Sequence, residues 1–591
     1  PEGVLFYHRN RDDKLLIDYA VTQQGLENVR NQIVNTQQGR TFGGLLTGDG
    51  FMNVGTGDGT YRDTPYKSWR LKSATRRKAH SIRIFTHVDQ TETLEDWKSG
   101  LQRLRNQQLP DRDAFQRTLA WWDDFWNRSR LVINSDHTDS GAWALGRNYQ
   151  LFRYQLGCNY YGEYPTKFNG GNFTYDPGLV TGKRPFSPDW RAWGGGSFTA
   201  QNQRLIYWPL LKTGDFEAMK PQMEFYRRML PTGKARAETY WGHGDAVFCE
   251  QTENFGLPIA CAWGFTEPGA ANRRRRPEVE HGVLDNKWIV HHYESQLEFS
   301  YMMLEYHRYS GLDISPYMAF IKESIRFFDE HYQMRQRNKS GRPLDDHGKL
   351  VIYPSTACET YKGAKNPGDV IAGLKACLNG LLALGPEFVS EEERDYFHNV
   401  LKRVPDFSYE EVGGDRIIKP AESWEFVTNS ECPQFYPLFP FNRFSLEDEK
   451  MITVFRNTWK HGTFPKNMVQ SWHQDGIFLA RMGMTKEAAE YNARKMRDSR
   501  RRFPTFWGPG HDWVPDHNHG GSGMLGLQEM LMQTIGDEIV LFPAWPKDWD
   551  VNFKLHAPYN TIIEVELKNG RLGQLRVTPQ SREADIINML H

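Results

Sequence analysis

The chain has no excess of charge of either sign, since Lys plus Arg and Asp plus Glu each number 73. Without a net field, binding to nucleic acid or to an anionic membrane is disfavoured. Cysteine is scarce: the six residues, at 158, 249, 261, 358, 377 and 432, show no CxxC spacing. That excludes a dense disulfide framework in 591 residues and leaves the redox compartment undecided. No apolar run approaches the roughly 18 residues of a membrane span, so no span is expected. The opening PEGVLFYHRNRDDK does not read as a signal peptide. The chain is expected to be soluble. Its start directly on the strand-like VLFYHRN is read as continuing from strands that precede it.

Aromatic residues, by contrast, are abundant at 14%, with 19 Trp. Flat indole and phenol faces suit the apolar faces of sugar rings, and their N–H and O–H groups suit hydroxyls; most are nonetheless expected to be core. The length exceeds what one hydrophobic core supports, so two or three domains are expected.

Residues 1–90 alternate apolar and polar positions between Gly- and Asp-rich turns, as in KLLIDYAV, GGLLTGDGFMNVG and HSIRIFTHV. This is the period of antiparallel strands and predicts part of a β-sandwich. Residues 91–135 read as an aromatic helical linker ending in AWWDDFWNRS. From 136 to 535 nearly every readable segment is helical. Ser315-Pro316 is a cap and first-turn pair, after which Met318, Ile321, Ile325, Phe328 and Tyr332 keep one apolar face. Similar faces recur in Trp288 to Tyr309, Val370 to Leu384 and Met451 to Trp459. The loops between them are long and rich in Gly, Pro, Trp and His, as functional loops are. Paired helices in an (α/α)6 barrel, with a pocket built by loops at one end, account for this pattern. Residues 536–591 return to alternation with a turn at Asn569-Gly570, a small β domain. The fold class is thus multidomain α+β, mainly α.

Two segments far apart in sequence each offer a carboxylate in a Pro/Gly-bent stretch: Glu359 in IYPSTACET and Asp516 in VPDHNHGGSGMLGLQEMLMQ. Glycosidic cleavage with inversion needs two such groups, one protonated toward the leaving oxygen and one ionised toward water, about 6.5–9.5 Å apart. His511, His517 and His519 offer a weaker metal-ligand alternative, lacking HExxH spacing. His291 and His292, with Tyr293 and Glu294, read as part of a helix, with one of the pair lining the pocket and the other on the surface. WGHGDAVFCEQTENFG and SWEFVTNSECPQFYP are pocket-wall candidates through Trp241, His243, Glu250 and Glu253, and through Trp424, Glu425 and Glu431, with Glu422 just before the second. Trp190, Trp193, Trp472 and Trp507 are candidate stacking platforms; Trp208 reads as core. Arg273 to Arg276 reads as a solvated basic loop.

Taken in order, RNYQLFRYQLGCNYYGEYPTKFNGGNF, NQRLIYWPL, PSTACE, QEMLMQ and FPAWP resemble successive motifs of the inverting α-L-fucosidase family of glycoside hydrolases. The resemblance spans about residues 120–570. It implies that Glu359 is the general acid and Asp516 the general base, with Asp512 and Asp475 in reserve. It further implies that Asn202 or Asn518 orients the base and the water, although Ala200 stands where the family has a second asparagine. His511, Trp241, His243, Glu250, His292, Trp424, Trp472 and Trp507 would bind substrate. No cofactor and no metal is implied. The implied activity is exo-acting hydrolysis of a terminal α-L-fucoside or α-L-galactoside from a plant or host glycan, in a secreted or periplasmic protein. An inverting phosphorylase, a polysaccharide lyase and a non-catalytic glycan-binding protein remain as alternatives.

Overall fold

The computed structural model describes residues 3–61, 64–171, 197–264, 275–466, 468–508 and 515–590. These fall into two compact units that meet in sequence at Asp124 and Phe125.

In the first unit, β1 (Gly3–Arg9), β2 (Arg40–Gly48) and β5 (Ile82–Gln90) form an antiparallel sheet in the order β1-β2-β5, while β3 (Phe51–Tyr61) and β4 (Thr64–Ser73) pair as a separate ribbon. Helix α2 (Leu94–Asn106) is started by a capping box between Thr93 and Asp96. It lays the buried Trp97 against Tyr7 and His87, ring centroids 5.6 and 5.9 Å away. The N-terminal sheet domain is therefore present, with a helix rather than a second sheet packed on this face. KLLIDYAV, read as a strand, is instead helix α1 (Leu16–Gln23). Its buried residues Ile17, Ala20 and Val21 follow the i, i+3, i+4 spacing of a helix face, which in so short a run imitates alternation.

Helix α3 (Asp111–Arg128) leads into the second unit, and the stretch read as helical to residue 135 ends in a strand, β6 (Arg130–Ile133). Helices follow in order: α4 (Gly141–Cys158), α5 (Ala200–Thr213), α6 (Lys220–Trp241), α7 (Ser295–Ser310), α8 (Met318–Ser340), α9 (Gly368–Leu382), α10 (Glu391–Arg403), α11 (Glu449–His461), α12 (Asp475–Arg481), α13 (Thr485–Lys495) and α14 (His517–Leu531). The Ser315-Pro316 pair opens a short 3₁₀ turn that runs into α8. Two classes of helix alternate along the chain. Every residue of α5, α12 and α14 is buried, and nearly every one of α7; α10 buries only Phe397 and Val400. Helices buried all round must be surrounded by other helices, and those with one apolar stripe must lie outside them. In agreement, α5 packs on α7, α7 on α9, α12 on α14, and α14 on α5. The 433–435 turn packs on α9, and its Phe435 stacks on Phe478 of α12.

The α14–α5 contact depends on Gly521, where a Cβ would stand 1.9 Å from the carbonyl oxygen of Leu205. Gly521→Ala is expected to force the two helices apart and to cost about 1–3 kcal/mol, read as a lower thermal melting midpoint.

The helical run is interrupted where Glu359 lies. β7 (Ser355–Ala357) and β8 (Tyr361–Pro367) form a hairpin, extended by β9 (Ala421–Ser423) and β10 (Phe426–Val427). At the carboxyl end, β11 (Val551–Ala557), β12 (Thr561–Lys568) and β13 (Arg571–Thr578) build a sheet in the order β13-β12-β11-β6. The Asn569-Gly570 turn falls between β12 and β13 with positive φ at both residues, the conformation for which Asn-Gly is suited.

Candidate active site

The first turn of α5 organises the site. The N–H of Ala200 donates to the carbonyl of Glu250 at 2.9 Å, and the N–H of Gln201 to its carboxylate at 3.0 Å. The Gln201 side chain donates to Glu431. The next residue, Asn202, donates from Nδ2 to Asn518 Oδ1 at 3.2 Å, and Asn518 Nδ2 in turn donates to Asp516 Oδ1. Asp516 is only 1% exposed and is the N-cap of α14, accepting from the His519 N–H at 3.1 Å. A helix N-terminus favours negative charge there. Asn202 and Asn518 thus act in series on Asp516.

Glu359 lies in the turn of the β7–β8 hairpin, not at a helix start; the following helix begins only at Gly368. PSTACET carries no helical periodicity, and Pro354 and the Thr residues favour extended backbone. Asn429 Nδ2 donates to Glu359 Oε2 at 2.8 Å, and Thr428 Oγ1 donates to its carbonyl at 2.9 Å. Glu250 connects this carboxylate to α5. Burial first, and then the charge of the neighbouring Glu359, push the Glu250 carboxyl well above the usual carboxylate range. The consecutive residues Gln201 and Asn202 therefore reach a neighbour of Glu359 on one side and Asp516, through Asn518, on the other.

Beneath the turn is a buried ion network. Arg204 meets Glu298 at 2.6 Å and Glu431 at 2.5 Å, and Trp208 Nε1 donates to Glu298 at 2.6 Å. Trp208 is thus core, as read. Arg204 was not singled out in the sequence, although a cation directly before the apolar run LIYWPL is a signal that could have marked it. Asp369 accepts the Cys358 N–H at 2.6 Å, and burial raises its carboxyl to about 7. Burial lowers Lys362 to about 8, against the opposing pull of Glu359.

Three non-glycine residues with left-handed backbone belong to these loops: Cys358 (φ 45°), Ser471 (φ 53°) and His291 (φ 52°). Cys358 precedes Glu359, and Ser471 Oγ donates to Asn518 Oδ1 at 3.3 Å. Such conformations cost on the order of 1–3 kcal/mol each and cluster at functional sites.

His291 and His292 are not on a helix: they occupy the turn ahead of α7, which begins at Ser295, because the positive φ of His291 breaks helical continuity. His292 is buried and His291 half-buried, and desolvation lowers the pKa of each, His291 to about 4. His517 and His519 lie two apart on α14, where side chains do not face each other. Ser471 N–H donates to His519 Nδ1 at 3.1 Å, so His519 Nε2 carries the proton and donates to the Lys495 carbonyl at 2.7 Å. Among the described residues no group of three His, Cys, Asp or Glu is placed to hold a metal ion.

Trp507 is buried behind Asp516, stacked on His519 at 5.0 Å and donating to the Arg497 carbonyl at 2.9 Å. Trp472 is buried and stacked on His473 at 4.2 Å. Trp241 donates to Glu280 at 3.0 Å, and His243 pairs with Asp245 at 2.6 Å, a network apart from Asp516. Glu253 is buried, and Glu422 bonds Lys365 at 2.5 Å. Trp424 is exposed beside the Glu359 hairpin. Asp475, the reserve base, is buried at the start of α12, and with Asp516 it opposes the burial that brings Lys495 to about 7. Arg275 is held by the carbonyls of Trp263, Glu280 and Val283, while Arg276 pairs with Asp285 and is solvated as read. His511, Asp512, Trp190, Trp193, Arg273 and Arg274 lie outside the described residues.

Burial lowers His517 to about 3. A histidine whose folded pKa lies below that of the unfolded chain contributes stability that is complete above the unfolded value, near 6.5, and is lost as pH falls toward the folded value. His291 and His517 are therefore expected to make the melting midpoint fall between pH 6.5 and 4, and His517→Asn is expected to reduce that slope. An unchanged slope would remove His517 from the account.

Residues 1–131 match the family described as Domain of unknown function (DUF5703). A comparison with curated proteins gives no match. Among solved structures, one named as a kojibiose phosphorylase, from human microbiome, is similar at a TM-score of 0.61 and 12% identity, over 90% of this chain and 71% of that one. A wild-type glycosidase and a glycosidase variant in complex with glucose give TM-scores of 0.41 and 0.40 at 9% identity, over 66% of this chain and 97% of theirs. The first of these likenesses shows a shared fold.

Proposed function

We propose that the protein is an exo-acting enzyme that cleaves glycosidic bonds with inversion, its helices forming an (α/α)6 barrel. The observation that carries this reading is the first turn of α5, where Gln201 bonds Glu250, a buried carboxylate raised by the charge of Glu359, and Asn202 bonds Asn518, which holds Asp516. Glu359 would deliver a proton to the departing oxygen. Asp516, held by the Asn518 amide, would take a proton from water attacking the opposite face of the ring. Fucosides and the sterically related galactosides are the first substrates this reading names, through the motif resemblance. A plant or host glycan as substrate fits a protein that works outside the cytoplasm.

Phosphorolysis is the second reading, favoured by the fold shared with the structure named as a kojibiose phosphorylase. In that chemistry phosphate replaces the base and the water, so the retained Asp516 with its amide relay supports hydrolysis.

A proton NMR time course on a panel of fucosylated and galactosylated oligosaccharides, with and without inorganic phosphate, tests both. Free sugar of inverted anomeric configuration, independent of phosphate, is the expected result. A sugar 1-phosphate would replace hydrolysis by phosphorolysis, and an unsaturated product absorbing in the ultraviolet would indicate a lyase. No product from any substrate would overturn the enzymatic reading.

A further inference from the structure

At the carboxyl ends of α7, α12 and α14 is a cavity of about 680 Å³, with Arg308, Arg443 and Arg481 in its wall. Asp516 caps the start of α14, whereas Glu529, near its end, bonds Arg481. About 20 Å of helix therefore separates this cavity from the candidate active site. The three guanidiniums differ in how their charge is balanced. Arg308 is fully answered, its Nε and Nη2 donating to the two carboxylate oxygens of Glu305 at 2.8 and 2.7 Å.

Arg481 is not. It is 3% exposed, its Nη1 reaches Glu529 only at 3.4 Å, and its Nε and Nη2 have no hydrogen-bond partner among the described residues. Glu529 is held more closely by the buried Lys212, at 2.6 Å, so two buried cations share one carboxylate. Arg443 has no carboxylate partner among the described residues, and burial lowers its pKa. Its two Nη atoms donate at 2.9 Å to the neutral side-chain carbonyl of Asn379, in the amide orientation that satisfies both groups. The other acids of the wall are engaged elsewhere: Asp448 caps α11, accepting from the Met451 N–H at 3.2 Å, and Glu447 is hydrogen-bonded to Glu538. Arg481 and Asn442, the chain neighbour of Arg443, also line an inner chamber of about 30 Å³, so the backbone that carries Arg443 runs beside Arg481. A buried cation without a counter-charge is strongly destabilising. Water there satisfies an N–H without balancing the charge.

We propose that this cavity binds an oxyanion, a phosphate or a carboxylate, through Arg481 and Arg443. A guanidinium presents a planar fork that matches two oxygens of such a group, and Arg481 has two N–H positions unbonded. Tyr301, Asn442 and Thr534, in the same wall, supply hydroxyl and amide donors for the remaining oxygens. Phe444 and Tyr559 give the cavity apolar surface for a small organic group that carries the anion. The site is independent of Glu359 and Asp516 and of the reaction proposed for them.

The test titrates the protein, dialysed into chloride buffer at fixed ionic strength, with inorganic phosphate, glucose 6-phosphate and glucuronate. Melting midpoint and isothermal titration calorimetry read the binding. A saturable rise in melting midpoint with at least one probe is expected, and none with added chloride. The tightest of the three arms tells a free phosphate from an anion carried on an organic group. Arg481→Gln and Arg443→Gln are each expected to weaken binding about tenfold or more, because each removes charge-assisted hydrogen bonds. Arg443 is half-buried, so its variant decides the matter if Arg481→Gln fails to fold. Weakened binding in a folded variant supports the site. Binding unchanged in every folded variant would place the anion elsewhere and overturn it, as would the absence of a saturable response to all three probes.

Discussion

Glu359→Gln is expected to lower kcat/KM on oligosaccharides by about 10²–10⁴-fold while leaving hydrolysis of the corresponding glycosyl fluoride close to the wild-type rate. The range is that of a positioned general acid, and the contrast follows from the leaving group. A sugar alkoxide needs a proton as the bond breaks; fluoride does not. Glutamine keeps an oxygen to accept the Asn429 amide, so the hairpin should hold its shape and the loss should be chemical. Asp516→Asn makes the complementary prediction. Water must still be activated for either substrate, so both rates should fall together. If Glu359→Gln lost the two activities equally, Glu359 would not be the acid, and Glu250, buried and of raised pKa beside it, would be the next carboxylate to test.

The parts of this site that were legible in the sequence share a physical origin. Asp516 followed by a glycine-rich apolar run reads as a helix start, and the chain uses it as an N-cap. The Asn569-Gly570 turn and the Ser315-Pro316 start were equally readable, because each rests on local backbone chemistry. Glu359 was singled out through the motif resemblance, but its hairpin was not foreseen, since a hairpin as short as Ser355–Pro367 is specified by pairing with residues 421–427, some 60 positions away. KLLIDYAV failed for a related reason: eight residues satisfy two periodicities, and the packing partner decides between them. Arg204 illustrates a different limit. Its two carboxylates come from α7 and from the segment before residue 433, and nothing in a single sequence reports that three distant charges converge.

That convergence makes Arg204 the most sensitive structural position. Burial opposes its charge, yet Glu298, Tyr436 and Glu431 together raise its pKa well above the ordinary value. Arg204→Met would keep most of the side-chain volume and leave Glu298 and Glu431 buried without their cation. Breaking a buried pair from one side costs about 3–5 kcal/mol, a large part of the stability of a typical domain. The loss should depend on pH. Burial already raises Glu298, and without Arg204 its folded pKa would rise further above the unfolded value. The penalty would then be small below the unfolded carboxylate pKa and would grow as pH rises through the folded one. Denaturant titrations at pH 5 and pH 8 are therefore expected to show a smaller difference from wild type at pH 5. Adding Glu298→Gln and Glu431→Gln should restore part of the stability without restoring activity, because Glu431 also fixes the Gln201 side chain in the first turn of α5, beside the Asn202 that bonds Asn518. Activity returning with stability would mean that the network supports only the fold, and the first turn of α5 would lose its place in the chemistry.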